Sequence, residues 1–285
     1  MDGRPMHAGL NWKELPGRIW QQFWRHRVLD QSAMLSFYFL VSIFPLLLFL
    51  MILLGLLLQS GHEFQNILRH YLETVVPQVT AARLIDTTLG EISRGSGALK
   101  LSTALLFTWW SASQGMMAVV RGINNAYETA ESRPWWKSYL VASGLTVACL
   151  LLFAGALLLL MYGGRLSDVA AHRWGGGGFV AGIWHVLSGL FVLGCVLAAF
   201  NLIYVWGPNV THRRWHWLMP GTLAGVAIWL LGSFGLKLYL SVFDPLTLSY
   251  GSVGAVIVLL MWLYLSGIAV LVGAEVNSIV ENVSA

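Results

Sequence analysis

Six stretches of this chain are long and mainly apolar: Met34–Leu58, Leu99–Val120, Tyr139–Tyr162, Phe179–Val205, Leu218–Leu240 and Val253–Gly273. Between them they carry only two lysines, Lys100 and Lys237. A helix needs about 20 such residues to cross the hydrocarbon core of a bilayer. No water is available there for stray backbone groups, so a chain that crosses repeatedly must do so as helices or as a closed barrel. Runs of this length, without strict alternation, predict helices. The expected fold is all-α and polytopic, with six transmembrane helices. The second stretch is the weakest, because Ser102, Thr103, Thr108, Ser111, Ser113 and Gln114 dilute it.

Composition agrees. Hydrophobic residues make up 57% of the chain and charged residues 11%, where soluble domains carry about 25% charged residues. Fourteen Trp and thirty Gly suit interface belts and closely packed membrane helices. The 17 Lys and Arg are dispersed rather than grouped into a nucleic-acid patch. Cys149 and Cys195 both lie within apolar stretches and give neither a disulfide framework nor a metal spacing.

Residues 1–33 read as a basic amphipathic segment. Trp12, Leu15, Ile19 and Phe23 recur at helical spacing, Trp20 and Trp24 broaden the apolar side, and Lys13, Arg18, Arg25 and Arg27 are interspersed. Such a helix suits the surface of an anionic leaflet. The bundle proper then occupies residues 34–285. Within it, residues 59–98 hold two amphipathic patterns broken at Pro77, expected to lie at the interface. Arg173–Gly178, "RWGGGG", reads as a flexible turn.

Counting Lys and Arg gives the orientation. Ten fall on the side of the N-terminus and six on the other, so both termini are expected to be cytoplasmic. Glu275 then sits within about one helical turn of the cytoplasmic end of the last span. Three readings of it stay open: a carboxylate in water, a partner for a basic residue such as Arg121 or Arg213, or a proton or substrate group.

Other polar residues near the spans are the remaining site candidates, because polar groups in apolar surroundings are costly. Gln114, Arg121, Asn125 and Glu128 are candidate substrate contacts. Arg121, Asn125 and Glu128 at i, i+4 and i+7 would share a helical face. Pro45 removes a donor inside the first span and is expected to bend it. Gly221 and Gly225 suit close helix packing, Asn201 a bond to another helix, and Lys237 a side chain reaching for headgroups. All four, with Pro45, are read as structural.

Four stretches together resemble the YihY/BrkB family of bacterial inner-membrane proteins, once labelled ribonuclease BN. They are "LSFYFLVSIFPLL" (Leu35–Leu47), "WSASQGMMAVVRGINNAYETAESRPWWK" (Trp110–Lys137), "PGTLAGVAIWLLGSFGLKLYLSVF" (Pro220–Phe243) and "YGSVGAVIVLLMWLYLSGIAVLVGAEVNSIVE" (Tyr250–Glu281). One departure stands out. Where the family has a basic residue in Y-R-x-x-P-N, this chain has Val205 in "YVWGPN". The resemblance implies a multi-pass protein of the inner membrane. It also brings the labels ribonuclease and virulence factor, and a common treatment as a transporter.

The chemistry narrows these. Metal-dependent hydrolysis needs clustered carboxylates and imidazoles, whereas the 13 acids are scattered and the densest histidine pair, His212 and His216, has no acid close by in sequence. No phosphate-binding glycine loop for ATP is present. The expectation is therefore a non-enzyme, without metal or cofactor, that moves an envelope solute without ATP hydrolysis of its own. The interfacial helices and basic rim suit membrane lipids, anionic ones included. Nucleic acid is not an expected partner, and assembly into a homo-oligomer stays open. The rival expectation is a structural or interaction protein of the envelope.

Overall fold

The computed structural model describes residues 14–58, 98–174, 177–210, 219–242 and 252–284. They form α1 (Leu15–Arg25), α2 (Val28–Leu58), α3 (Ala98–Ala126), α4 (Trp135–Trp174), α5 (Gly177–Trp206), α6 (Pro220–Val242) and α7 (Ser252–Ser284). Among the described residues there is no strand. The amphipathic patterns expected over 59–98 lie outside them, apart from Ala98, which opens α3.

Four segments are long and apolar enough to cross a membrane: Trp135–Leu159, Val186–Trp206, Pro220–Val242 and Gly254–Glu281. The other two stretches expected to cross fall within α2 and α3, of 31 and 29 residues. α4 runs 40 residues, about 60 Å at 1.5 Å per residue, or twice a hydrocarbon core. It continues past Tyr162, where the expected span ends, through Arg165 and Asp168, because charge alone does not break a helix. The expected turn at Arg173–Gly178 is correspondingly shorter. Arg173 and Trp174 close α4 and Gly177 opens α5.

The chain divides into two compact units, residues 41–115 and the remainder. Within residues 41–115, the Ser42 hydroxyl donates to the Ser111 carbonyl at 3.5 Å, and Ser113 bonds back to Trp109 at 3.0 Å. Pro45 lies inside α2, which continues to Leu58.

In the larger unit the most extensive packing is between α6 and α7, followed by α4 on α5. Glycine makes the α6–α7 approach possible. A Cβ on Gly221 would strike the Gly273 carbonyl, and one on Gly225 would lie 3.0 Å from the Ala269 carbonyl. Tyr204 of α5 closes this crossing, its hydroxyl donating to the Val270 carbonyl at 2.9 Å. Further along, Trp229 donates to Ser266 and Trp262 to Ser233, both at 3.1 Å, tying the two helices reciprocally. The Asn201 amide oxygen accepts from Thr222 at 3.3 Å, an α5–α6 bond of the kind expected for it. Lys237 is exposed on α6.

The core gathers at one end of α7. From Ala269 to Ile279 every residue but Val272 is buried, while Ala255, Val256 and Met261 nearer its start are exposed. Val28, Leu35, Val119, Ile123, Tyr204, Val226 and Leu271 pack there.

Candidate functional site

That enclosed end of α7 holds Glu275, 1% exposed. Its partner comes from the far end of the sequence. α1 stops at Arg25, and Arg27 takes a left-handed φ of 50° before α2 begins. The turn is fastened locally: His26 N–H donates to the Gln22 carbonyl at 2.8 Å, and the Gln31 side chain donates to the His26 carbonyl at 2.9 Å. His26 is thereby aimed inward. Its Nδ1 lies 2.7 Å from Oε1 of Glu275.

The other imidazole nitrogen, Nε2, lies 3.3 Å from Oε1 of Glu128, and Arg25 holds that same oxygen at 3.0 Å. Arg25, Glu128, His26 and Glu275 thus form one chain of charge contacts from water to interior. Oε2 of Glu275 is buried and has no hydrogen-bond partner among the described residues.

Glu128 reaches His26 because it has left its helix. α3 ends at Ala126, and the Thr129 and Glu128 amides close onto the Asn124 and Asn125 carbonyls at 2.9 and 3.0 Å. This closure puts Glu128 at φ 51°, the left-handed residue that ends many helices. The expected common face of Arg121, Asn125 and Glu128 is therefore broken. Arg121 and Asn125 stay exposed on α3, while Glu128 turns to α1. Gln114 lies about two turns before Arg121 on α3 and is half-buried.

A second polar group secures the loop that follows. The Asn124 side chain donates to Glu131 at 2.8 Å and accepts from the Asn209 amide at 2.8 Å. Asn209 in turn donates to the Ala130 carbonyl and to Ser132, and accepts from Arg133 at 3.1 Å. Arg133 also donates to the Gly207 carbonyl at 3.0 Å. The run from Asn124 to Arg133 and the "GPN" after α5 form a single clasp. Val205, where the resembling family carries a basic residue, is buried at 4% exposure. Below the clasp, Tyr127 donates to Glu281 at 3.5 Å, and burial together with that carboxylate raises the phenol far above its usual range, so it stays protonated.

α1 itself is amphipathic as expected. Leu15, Ile19 and Phe23 are half-buried, and Phe23 packs on the core. Trp20 and Trp24 are exposed and stack with Phe23 in a three-ring cluster. Trp12 and Lys13 fall outside the described residues.

The Virulence factor BrkB family matches residues 19–285. This chain belongs to the BrkB family. It is 30% identical over 265 residues to YfkH of Bacillus subtilis, a protein named ribonuclease-like, covering 93% of this chain and 94% of YfkH. It is likewise 30% identical over 259 residues to a UPF0761 membrane protein of Chromohalobacter salexigens, and 26% identical over 266 residues to one of Laribacter hongkongensis. These alignments cover 90% and 91% of this chain but only 60% and 59% of those two longer relatives. No solved structure matches the chain.

Within this BrkB-family fold the site candidates separate. Glu128 and Glu275 meet through His26, a residue the sequence reading passed over between Arg25 and Arg27. Glu275 is neither in water nor paired with Arg121, which stays exposed. Its neighbour is the His26 imidazole. Arg213, the other suggested partner, lies outside the described residues, as do His212 and His216. The clasp residues Asn124, Glu131, Arg133 and Asn209 were visible only as parts of quoted motifs.

Proposed function

We propose that this BrkB-family protein crosses the bacterial inner membrane six times, through α2 to α7, with both termini cytoplasmic. It moves an amphiphilic, lipid-like envelope solute without hydrolysing ATP. The observation that carries this reading is the position of α1. An exposed Trp pair and the cations Arg18, Arg25 and Arg27 are fixed against the last helix by a buried bond, a geometry suited to holding anionic headgroups beside a helix bundle. Arg121 and Asn125 are exposed on α3 close to where Glu128 meets α1.

The chain is read as a non-enzyme. His26 and Glu275 are 9% and 1% exposed in their side chains, and the exposed carboxylate on the same imidazole, Glu128, is already engaged by Arg25 at 3.0 Å. The ribonuclease-like name belongs to YfkH and is not extended to this protein.

A second reading, a scaffold of the envelope, is favoured by one observation: Glu128, a candidate substrate contact, is already engaged by Arg25 and His26. Native mass spectrometry on wild type beside Arg121→Ala separates the two. A defined anionic lipid retained by wild type and lost from the variant, followed by dithionite-detected flipping of a labelled phospholipid in proteoliposomes, supports translocation. Random lipids, unaffected by the substitution, with no flipping, would give the scaffold reading instead.

A further inference from the structure

We propose that His26 and Glu275 form a buried proton-binding site that fills from water through Glu128. Three observations carry it. Exposure falls stepwise along the contacts, from 50% at the Glu128 side chain to 9% at His26 and 1% at Glu275. Both imidazole nitrogens face carboxylate oxygens, at 3.3 and 2.7 Å. Finally, Glu275 has an oxygen, Oε2, that is buried without a partner. An ionised carboxylate left half-satisfied in the interior is far more costly than a neutral one, so a permanent structural ion pair would be expected to satisfy both oxygens.

The step balances without an outside reagent. A proton arriving from water on Oε1 of Glu128 passes to Nε2 of His26. As that O–H bond breaks and the Nε2–H bond forms, the Nδ1–H bond breaks and the proton moves to Oε1 of Glu275. Glu128 ends as a carboxylate, His26 is neutral in its other tautomer, and Glu275 is a neutral acid. The same route in reverse empties the site. Imidazole suits this role because one ring accepts and donates at opposite nitrogens, which the neighbouring guanidinium of Arg25 cannot do.

The charged surroundings are few. Arg25 and His26 come from the end of α1, and Glu128 from the end of α3. Asp30, at the start of α2, is held by Arg27 at 2.6 Å. α5 contributes Tyr204, whose hydroxyl is engaged by Val270, and α6 has no ionisable side chain in its first four turns. That its filling drives solute movement rests on the transport reading above.

The test uses the full chain in liposomes, without any solute, so it is independent of whether transport occurs. Infrared difference spectra are recorded after an acid jump. Wild type is expected to gain the carbonyl band of a protonated, dehydrated carboxyl, and Glu275→Gln to lose that band entirely. Glu128→Gln should reach the same band height more slowly. A wild-type spectrum without the band, or one that Glu275→Gln leaves intact, overturns the site. An unchanged rate in Glu128→Gln overturns the entry route. Should Glu275→Gln fail to fold, solid-state NMR of wild type labelled with ¹⁵N-histidine decides. Exchange of the His26 proton between Nδ1 and Nε2 as pH falls supports the relay, and a single fixed tautomer throughout refutes it.

Discussion

α7 is held in two places by opposite means. At its crossing with α6, contact depends on what is missing: Gly221, Gly225 and Gly273 have no Cβ, so carbonyls and the Tyr204 ring lie against bare backbone. Two residues beyond Gly273, at Glu275, contact depends on a polar side chain delivered from the end of α1. The first arrangement is tolerant of any medium and intolerant of any atom. The second is tolerant of small movement and intolerant of losing its partner. Close backbone packing is how helices associate where no hydrophobic force separates lipid from side chain, whereas a buried charge persists only while paired.

Breaking the crossing should have the largest effect. Gly273→Val places side-chain carbons against Tyr204 and the Gly221 carbonyl, neither of which has room to retreat. No monodisperse protein is expected on size-exclusion chromatography in mild detergent. Breaking the charged contact comes next. His26→Ala leaves the buried Glu275 without its hydrogen-bond partner, a loss of about 1–3 kcal/mol, measurable as a lower midpoint in denaturant titration of the solubilised protein. Tyr204→Phe keeps the ring in the glycine crossing and removes its bond to Val270, at a cost of about 0.5–1.5 kcal/mol. A Tyr204→Phe loss as large as that of His26→Ala would mean the crossing also depends on polar bonds. The smallest effect sharpens the contrast between buried and exposed charge. Arg27 and Asp30 are 78% and 59% exposed, and Asp30→Asn should shift the same midpoint by less than about 1 kcal/mol.

These two contacts also differ in how far the sequence revealed them. Gly221 and Gly225 were readable because small residues one turn apart in an apolar helix have a single common use. Their third member, Gly273, was not, since nothing local says which glycine of α7 meets α6. The same applies to Glu275. Its oddness was plain from the apolar run before it, and a basic partner was the natural expectation. Arg121 looked suitable by charge, yet it stays exposed on α3. His26 is the actual neighbour because the break at Arg27 directs it inward, and left-handed backbone at an arginine carries no sequence signal comparable to glycine. Glu128 failed the face argument for a related reason. Helical spacing holds only while the helix lasts, and α3 ends two residues too early. The four segments long and apolar enough to cross were legible, because length and composition specify them without reference to any neighbour.

The bond between His26 and Glu275 joins residues 249 positions apart. During synthesis the chain emerges N-terminus first, so α1 is made long before its seat on α7. Until the ribosome has passed Glu275, His26 lacks the carboxylate that it meets on α7. Seating α1 therefore waits until α7 has been made as far as Glu275. A message truncated within α7 would yield a protein whose spans can insert but whose leading helix has no carboxylate to receive it. An unseated α1 would therefore distinguish a chain that lacks this end of α7 from one that has it.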